Sequence, residues 1–201
     1  MSILIDERHN DNMDTTFYLS EFEKAAGSLD AGLLAQKGLD VEVGVWLGSI
    51  VLRMHKKTWA NKPFERPQSD AAIFFSIWLN EKDVKPSRLF YNIHALKLRQ
   101  LRGYKITSRD FAADFRAGFK PFARHWPNVS VDFGPLNLME GWTTLDTAAK
   151  ADPEAEELAN PAAAAKADPA TPAVAADVSA LATRFLELAP LIDTLLERRK
   201  K

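Results

Sequence analysis

The chain has 201 residues, a formal net charge of −1, 46% hydrophobic and 26% charged residues, and no cysteine. That composition is ordinary for a globular protein, and the absence of Cys excludes disulfides, thiolate metal ligands and a Cys nucleophile, which fits a cytoplasmic setting. The polar, acidic start MSILIDERHNDNMD lacks the apolar core of a signal peptide, and no apolar run approaches the roughly 18–20 residues of a membrane span.

Residues 1–14 read as a disordered N-terminus. Over 19–36, Leu19, Phe22, Ala26, Leu29 and Leu33 recur at spacings of three and four, which predicts an amphipathic helix. Ser20 is the expected N-cap and Gly38 the expected stop, with Gly27 a possible break. Val41, Val43, Val45 and Leu47 then alternate with Glu42, Gly44 and Trp46, a strand signature. Gly48-Ser49 is an acceptable hairpin turn. The next strand puts Ile50, Leu52 and Met54 on one face and Arg53, His55, Lys57 and Trp59 on the other. NKPFERPQSD is a loop, and AAIFFSIWL is a strand apolar on both faces and therefore central.

RLFYNIHALKLRQL changes phase after Ala95. One extra residue there, a β-bulge, sorts it into a buried row of Tyr91, Ile93, Leu96 and Leu98 and a polar row of Asn92, His94, Lys97 and Arg99. A strand passing into a helix near residue 95 is the alternative. TSRDFAADFRAGF is the clearest helix, with Thr107 or Ser108 as cap and Phe111, Phe115 and Phe119 as a buried stripe. VSVDF alternates like a short strand. GPLNLMEGW closes the domain as loop, with Trp126 and Trp142 as core anchors.

Residues 147–176 are rich in Ala and Pro and read as a linker. From 177 to the end, Val178, Leu181, Phe185, Leu188, Ile192 and Leu195 form an apolar seam on an amphipathic helix, interrupted by Pro190. The predicted fold is therefore α+β. A mainly antiparallel sheet of four to five strands packs on two helices over 15–146, followed by the linker and the C-terminal helix.

Charge is distributed unevenly. Residues 43–125 hold sixteen Lys/Arg against six Asp/Glu, while residues 1–42 hold three against nine and residues 126–201 seven against twelve. Acidic flanks can neutralise a basic middle within one fold, or the basic middle can meet an anionic partner. The candidate site joins the two polar rows: Arg53, His55, Lys57 and Trp59 with Asn92, His94, Lys97 and Arg99. On neighbouring strands they would gather cations and imidazoles that attract phosphate, with Trp59 or Tyr104 stacking on a base. The expected function is a cytoplasmic, non-enzymatic protein that binds a phosphate-bearing ligand, nucleic acid first.

The alternative is an adaptor acting through the C-terminal seam, toward a second copy or another protein. A third reading is a small metal-independent nuclease or hydrolase using His55 and His94 as acid and base. The four His are scattered, and no metal-ligand spacing, Walker A, dinucleotide fingerprint or nucleophile elbow is present. No metal or cofactor is expected, nor a membrane partner.

Overall fold

Local capping chemistry sets the first elements of the computed structural model, which describes residues 13–62, 70–131, 136–145 and 174–201. Helix α1 (Thr15–Ser28) starts four residues before the expected point, because the Asp14 carboxylate accepts the Phe17 amide at 2.9 Å; Ser20 lies inside the helix. The break falls at Leu29, not Gly27. Leu29 is extended, and Asp30 caps a second helix, α2 (Ala31–Lys37), by accepting from the Leu33 amide at 2.9 Å. A short polar side chain that satisfies free helix N–H groups favours a new start over continuation. Gly38, at φ 64°, ends α2 as expected.

Strand β1 (Asp40–Trp46) and strand β2 (Ser49–Ala60) form a hairpin. Its turn is Leu47-Gly48, one residue earlier than expected: both have positive φ, 52° and 75°, and Trp46 pairs with Ser49. That is the primed turn whose twist matches the strands. Strand β3 (Ala72–Asn80), a one-turn helix α3 (Glu81–Val84), strand β4 (Arg88–Leu96) and strand β5 (Asn137–Thr144) complete a five-stranded antiparallel sheet in the order β1-β2-β3-β4-β5. The central place of β3 is as its two apolar faces predicted.

Two irregularities displace residues from their expected faces. Between His55 and Ala60, five steps along β2 match two along β3. The phase reverses there, so Trp59 turns into the helix layer and is fully buried. Its indole Nε1 donates to Asp193 at 2.9 Å, and Lys56 pairs with the same carboxylate at 2.6 Å. In β4 the expected bulge at Ala95 is absent. Leu89, Tyr91, Ile93 and Ala95 all face the helices in unbroken alternation, and Ala95 lies opposite Ile73. The phase change comes two residues later, where Lys97 takes a left-handed conformation (φ 46°) and a 3-10 turn, Leu98–Gln100, follows. Leu98 is buried because of that turn, while Leu96 is half-buried on the opposite side from Ile93. The strand-to-helix alternative is the closer description.

Helix α4 (Ser108–Phe119) has the expected Thr107 cap and the expected buried Phe111, Phe115 and Phe119. The short strand expected at VSVDF is reduced to a single bridge from Ser130 to Glu140, and residues 132–133 lie outside the described residues. The closing segment, expected as loop, is instead β5. Gly141 fits beneath the ring of Tyr91: a Cβ there would lie 2.5 Å from Tyr91 Cζ. Trp126 is a core anchor as expected; Trp142 is only half-buried and sits on the other side of the sheet.

Helix α5 (Val174–Glu197) runs unbroken through Pro190. It lies on the sheet between α1 and α4. The Phe185 ring stacks on Phe75 with centroids 4.6 Å apart and meets Trp126 at 4.9 Å. Val178, Leu181, Phe185, Leu188, Ile192 and Leu195, set aside for a partner, are all buried in the chain's own core. An apolar seam satisfied at home leaves no hydrophobic driving force for a groove elsewhere. Consequently the core is not confined to residues 15–146. Most of the Ala/Pro linker lies outside the described residues, and its last three positions, 174–176, already belong to α5. The same holds for residues 1–12 of the expected disordered start; Met13 packs against the core and Asp14 is a cap.

Candidate functional site

All the long helices lie on one face of the sheet, and antiparallel register orders the side chains of the other. Neighbours directly opposite share a face, and every second residue returns to it. Three rows result. The first is Asp40, His55, Phe74, His94 and Asn137; the second is Glu42, Arg53, Ser76, Asn92 and Glu140; the third is Gly44, Val51, Trp78, Phe90 and Trp142. Val51 and Phe74 are buried yet fall outside the core cluster shared with the helices.

Of the eight ligand-binding residues expected from sequence, Arg53, His55, Asn92 and His94 do come together here. They sit on β2 and β4 with β3 between them, and Arg53 and Asn92 both lie opposite Ser76. The other four do not join them. Trp59 is in the core; Lys57 is exposed in the irregular end of β2; Lys97 and Arg99 are exposed on the turn beyond β4. The expected convergence of four cations therefore reduces to Arg53.

The two imidazoles are not cationic either. Burial pushes His94 down to about 4, with the Arg53 charge adding to the shift and the Asn137 side chain opposing it. Burial lowers His55 as well, against the partial opposition of Glu42 and Asp40. Both rings are neutral near pH 7. Asn92 Nδ2 lies 3.0 Å from His94 Nε2, so that nitrogen accepts and the ring proton sits on Nδ1. Phe74 stands between the two histidines in their row, with its ring 4.6 Å from that of His94. Two strand spacings, about 10 Å, separate their backbones.

The face is polar and nearly balanced in charge. Arg53 lies opposite Glu42, with its guanidinium 4.3 Å from the Trp46 ring centroid and 5.4 Å from that of Phe74. Burial raises Glu140, whose Oε2 accepts from Asn137 at 3.1 Å. Asn92 Oδ1 is buried with no hydrogen-bond partner among the described residues, a condition that costs about 1–3 kcal/mol. Among the described residues no group of three or more His, Asp or Glu is placed to hold a metal ion, and no helix is long and apolar enough to cross a membrane.

No family model, curated protein or solved structure matches the chain.

What the sequence reading missed is the aromatic row. Trp78 and Phe90 stack with centroids 5.6 Å apart and an interplanar angle of 25°, and Trp142 follows on the next strand with the Arg88 guanidinium 4.6 Å from its ring centroid. All three rings are half-buried, so part of each meets solvent. A signal for them existed. Phe90 is in phase with Asn92 and His94, and Phe74, Ser76 and Trp78 alternate with the core residues Ile73, Phe75 and Ile77. The two-sided hydrophobicity of β3 marked it as central but hid which aromatics lay outside the core.

Proposed function

We propose that the protein is a non-enzymatic binding module that holds single-stranded nucleic acid on the helix-free face of its sheet. The bases stack on Trp78, Phe90 and Trp142, and Arg53 and Arg88 meet phosphates. The observation that carries this reading is the third row: three partly exposed aromatics on three adjacent strands of an antiparallel sheet whose other face is covered by helices. Such a platform favours unstacked bases, because every base has a π-face and a paired duplex does not offer it. His94, neutral and partly exposed, offers a base edge a hydrogen-bonding group rather than charge for the backbone.

With two cations on the face, the reading fixes an unusually shallow salt dependence. Each phosphate neutralised on a single strand contributes about −0.7 to the slope of log K against log salt, so the expected slope is about −1.4. Titration of the full chain with short single-stranded DNA and RNA, followed by tryptophan fluorescence at several salt concentrations, tests it. Trp78→Ala and Trp142→Ala should each weaken binding roughly 10- to 100-fold. Unchanged affinity in both variants, or binding to an uncharged saccharide but to no oligonucleotide, overturns the reading.

A further inference from the structure

On the helix side of the sheet, at the β5 edge, a cleft of about 590 Å³ opens between α5, the 3-10 turn Ala123–His125 and the end of β5. The described residues that line it are Arg124, His125, Pro127, Thr143, Arg184 and Glu187. We infer that this cleft is a binding site for a phosphate group, gripped by the guanidinium groups of Arg184 and Arg124. The cleft is separate from the aromatic face: Thr143 of β5 lies opposite the core residue Leu89, on the other side of the sheet from Trp142, and the remaining lining residues lie off the sheet.

The first ground is the state of Arg184. Arg184 is half-buried, and among the described residues no carboxylate ion-pairs with it. Two other half-buried cations are ion-paired: Lys56 holds Asp193, and Arg199 holds Asp114. A half-buried guanidinium without a carboxylate can turn one edge, two parallel N–H donors, to a phosphate that enters the cleft.

The opposite wall brings a second guanidinium, that of the exposed Arg124. Arg124 Nε donates to His125 Nε2 at 3.0 Å, an arrangement that leaves the two terminal nitrogens of Arg124 for a ligand. The wall is tied to the core as well: Tyr91 Oη donates to the Pro127 carbonyl, and Arg184 is close enough to the Tyr91 phenol for its charge to act on it. Thr143 adds a hydroxyl at the cleft. Glu187 is the single carboxylate among the described lining residues and opposes an anion, so it limits affinity rather than supplying it.

The test uses the full chain and two probes, inorganic phosphate and glycerol phosphate, followed by calorimetry and by the arginine Nε–H resonances in NMR. Saturable binding of at least one probe is expected, with the Arg124 and Arg184 resonances shifting. A tighter fit for glycerol phosphate assigns a monoester, and a tighter fit for inorganic phosphate assigns the free ion. Arg184→Gln should weaken binding at least tenfold, and Glu187→Gln should strengthen it several-fold, a gain that misfolding cannot imitate. No saturation by either probe, equal affinity in Arg184→Gln, or no gain in Glu187→Gln overturns the inference.

Discussion

His94 shows how position converts a residue type into a different chemical object. A histidine in a strand beside basic residues invites a cationic reading, yet burial holds this one near 4 and makes it a neutral hydrogen-bonding group. The consequence for stability has a definite sign. The folded value lies below the unfolded one of 6.5. The unfolded chain therefore takes up a proton that the folded chain resists, and stability falls as pH drops from about 6.5 to about 4. A shift of that size corresponds to about 3 kcal/mol at most. Urea unfolding of wild type and His94→Gln at pH 7.5 and pH 4 measures it. The variant should lose much less stability on acidification, with the remainder carrying the same-signed contribution of His55. Parallel losses in both proteins would show that His94 is not held neutral. Faces were legible at this scale where alternation ran uninterrupted, as for Arg53, His55, Asn92 and His94. They were not legible past the β2 irregularity or past Lys97, whose left-handed backbone at φ 46° is unusual for a lysine and leaves no mark in the hydrophobic pattern.

Among the elements, α5 departs most from its sequence reading. Pro190 suggested two short pieces, and instead a 24-residue helix carries it. Packing explains this: Leu186, Leu188, Ala189 and Ile192 are all buried around it, while Pro190 itself is exposed. The helix thus tolerates a residue that lacks an N–H and crowds the preceding turn, a penalty near 3 kcal/mol inside an isolated helix. Thr194 Oγ1 donates to the Pro190 carbonyl at 2.8 Å and steadies the following turn. Pro190→Ala restores the missing backbone donor at an exposed position and should raise stability by about 1–3 kcal/mol. An unchanged or lowered urea midpoint would mean that the helix has already relieved the proline by local bending. The sheet edge at β5 is also managed: Ser130 exchanges backbone bonds with Glu140, and Asn128 Nδ2 donates to the Trp142 carbonyl at 3.1 Å. Part of that edge is therefore not available for pairing with another chain.

For the whole molecule, the decisive fact is that the described residues before 146 and those from 174 to 201 share one core. Phe185 enters the aromatic cluster formed by Phe75, Tyr91 and Trp126. Residues 200 and 201 are held by the Tyr104–Lys200 bridge and by the Lys201 N–H, which donates a hydrogen bond to the Gly103 carbonyl. Without α5 the apolar helix-side face of the sheet would meet water. A chain ending at Leu145 should therefore lose cooperative unfolding and dispersed NMR resonances, and a separate peptide of residues 174–201 should restore them. Phe185→Ala should cost about 3–5 kcal/mol in the full chain. A folded, cooperative truncated chain would make α5 an accessory rather than a layer of the fold.

The sequence by itself determined the fold class, the central place of β3, the Phe stripe of α4 and the amphipathic character of α5. Each of these is written in a local period of two or about 3.6 residues, which the backbone geometry of strand and helix enforces. Only the tertiary structure decided what covers what: that α5 packs on its own sheet, that Trp59 turns inward to Asp193, and that Trp78, Phe90 and Trp142 align on the open face. These depend on strand register and on contacts between residues more than a hundred positions apart, as with Trp59 and Asp193. A local hydrophobic pattern carries no information about such pairings.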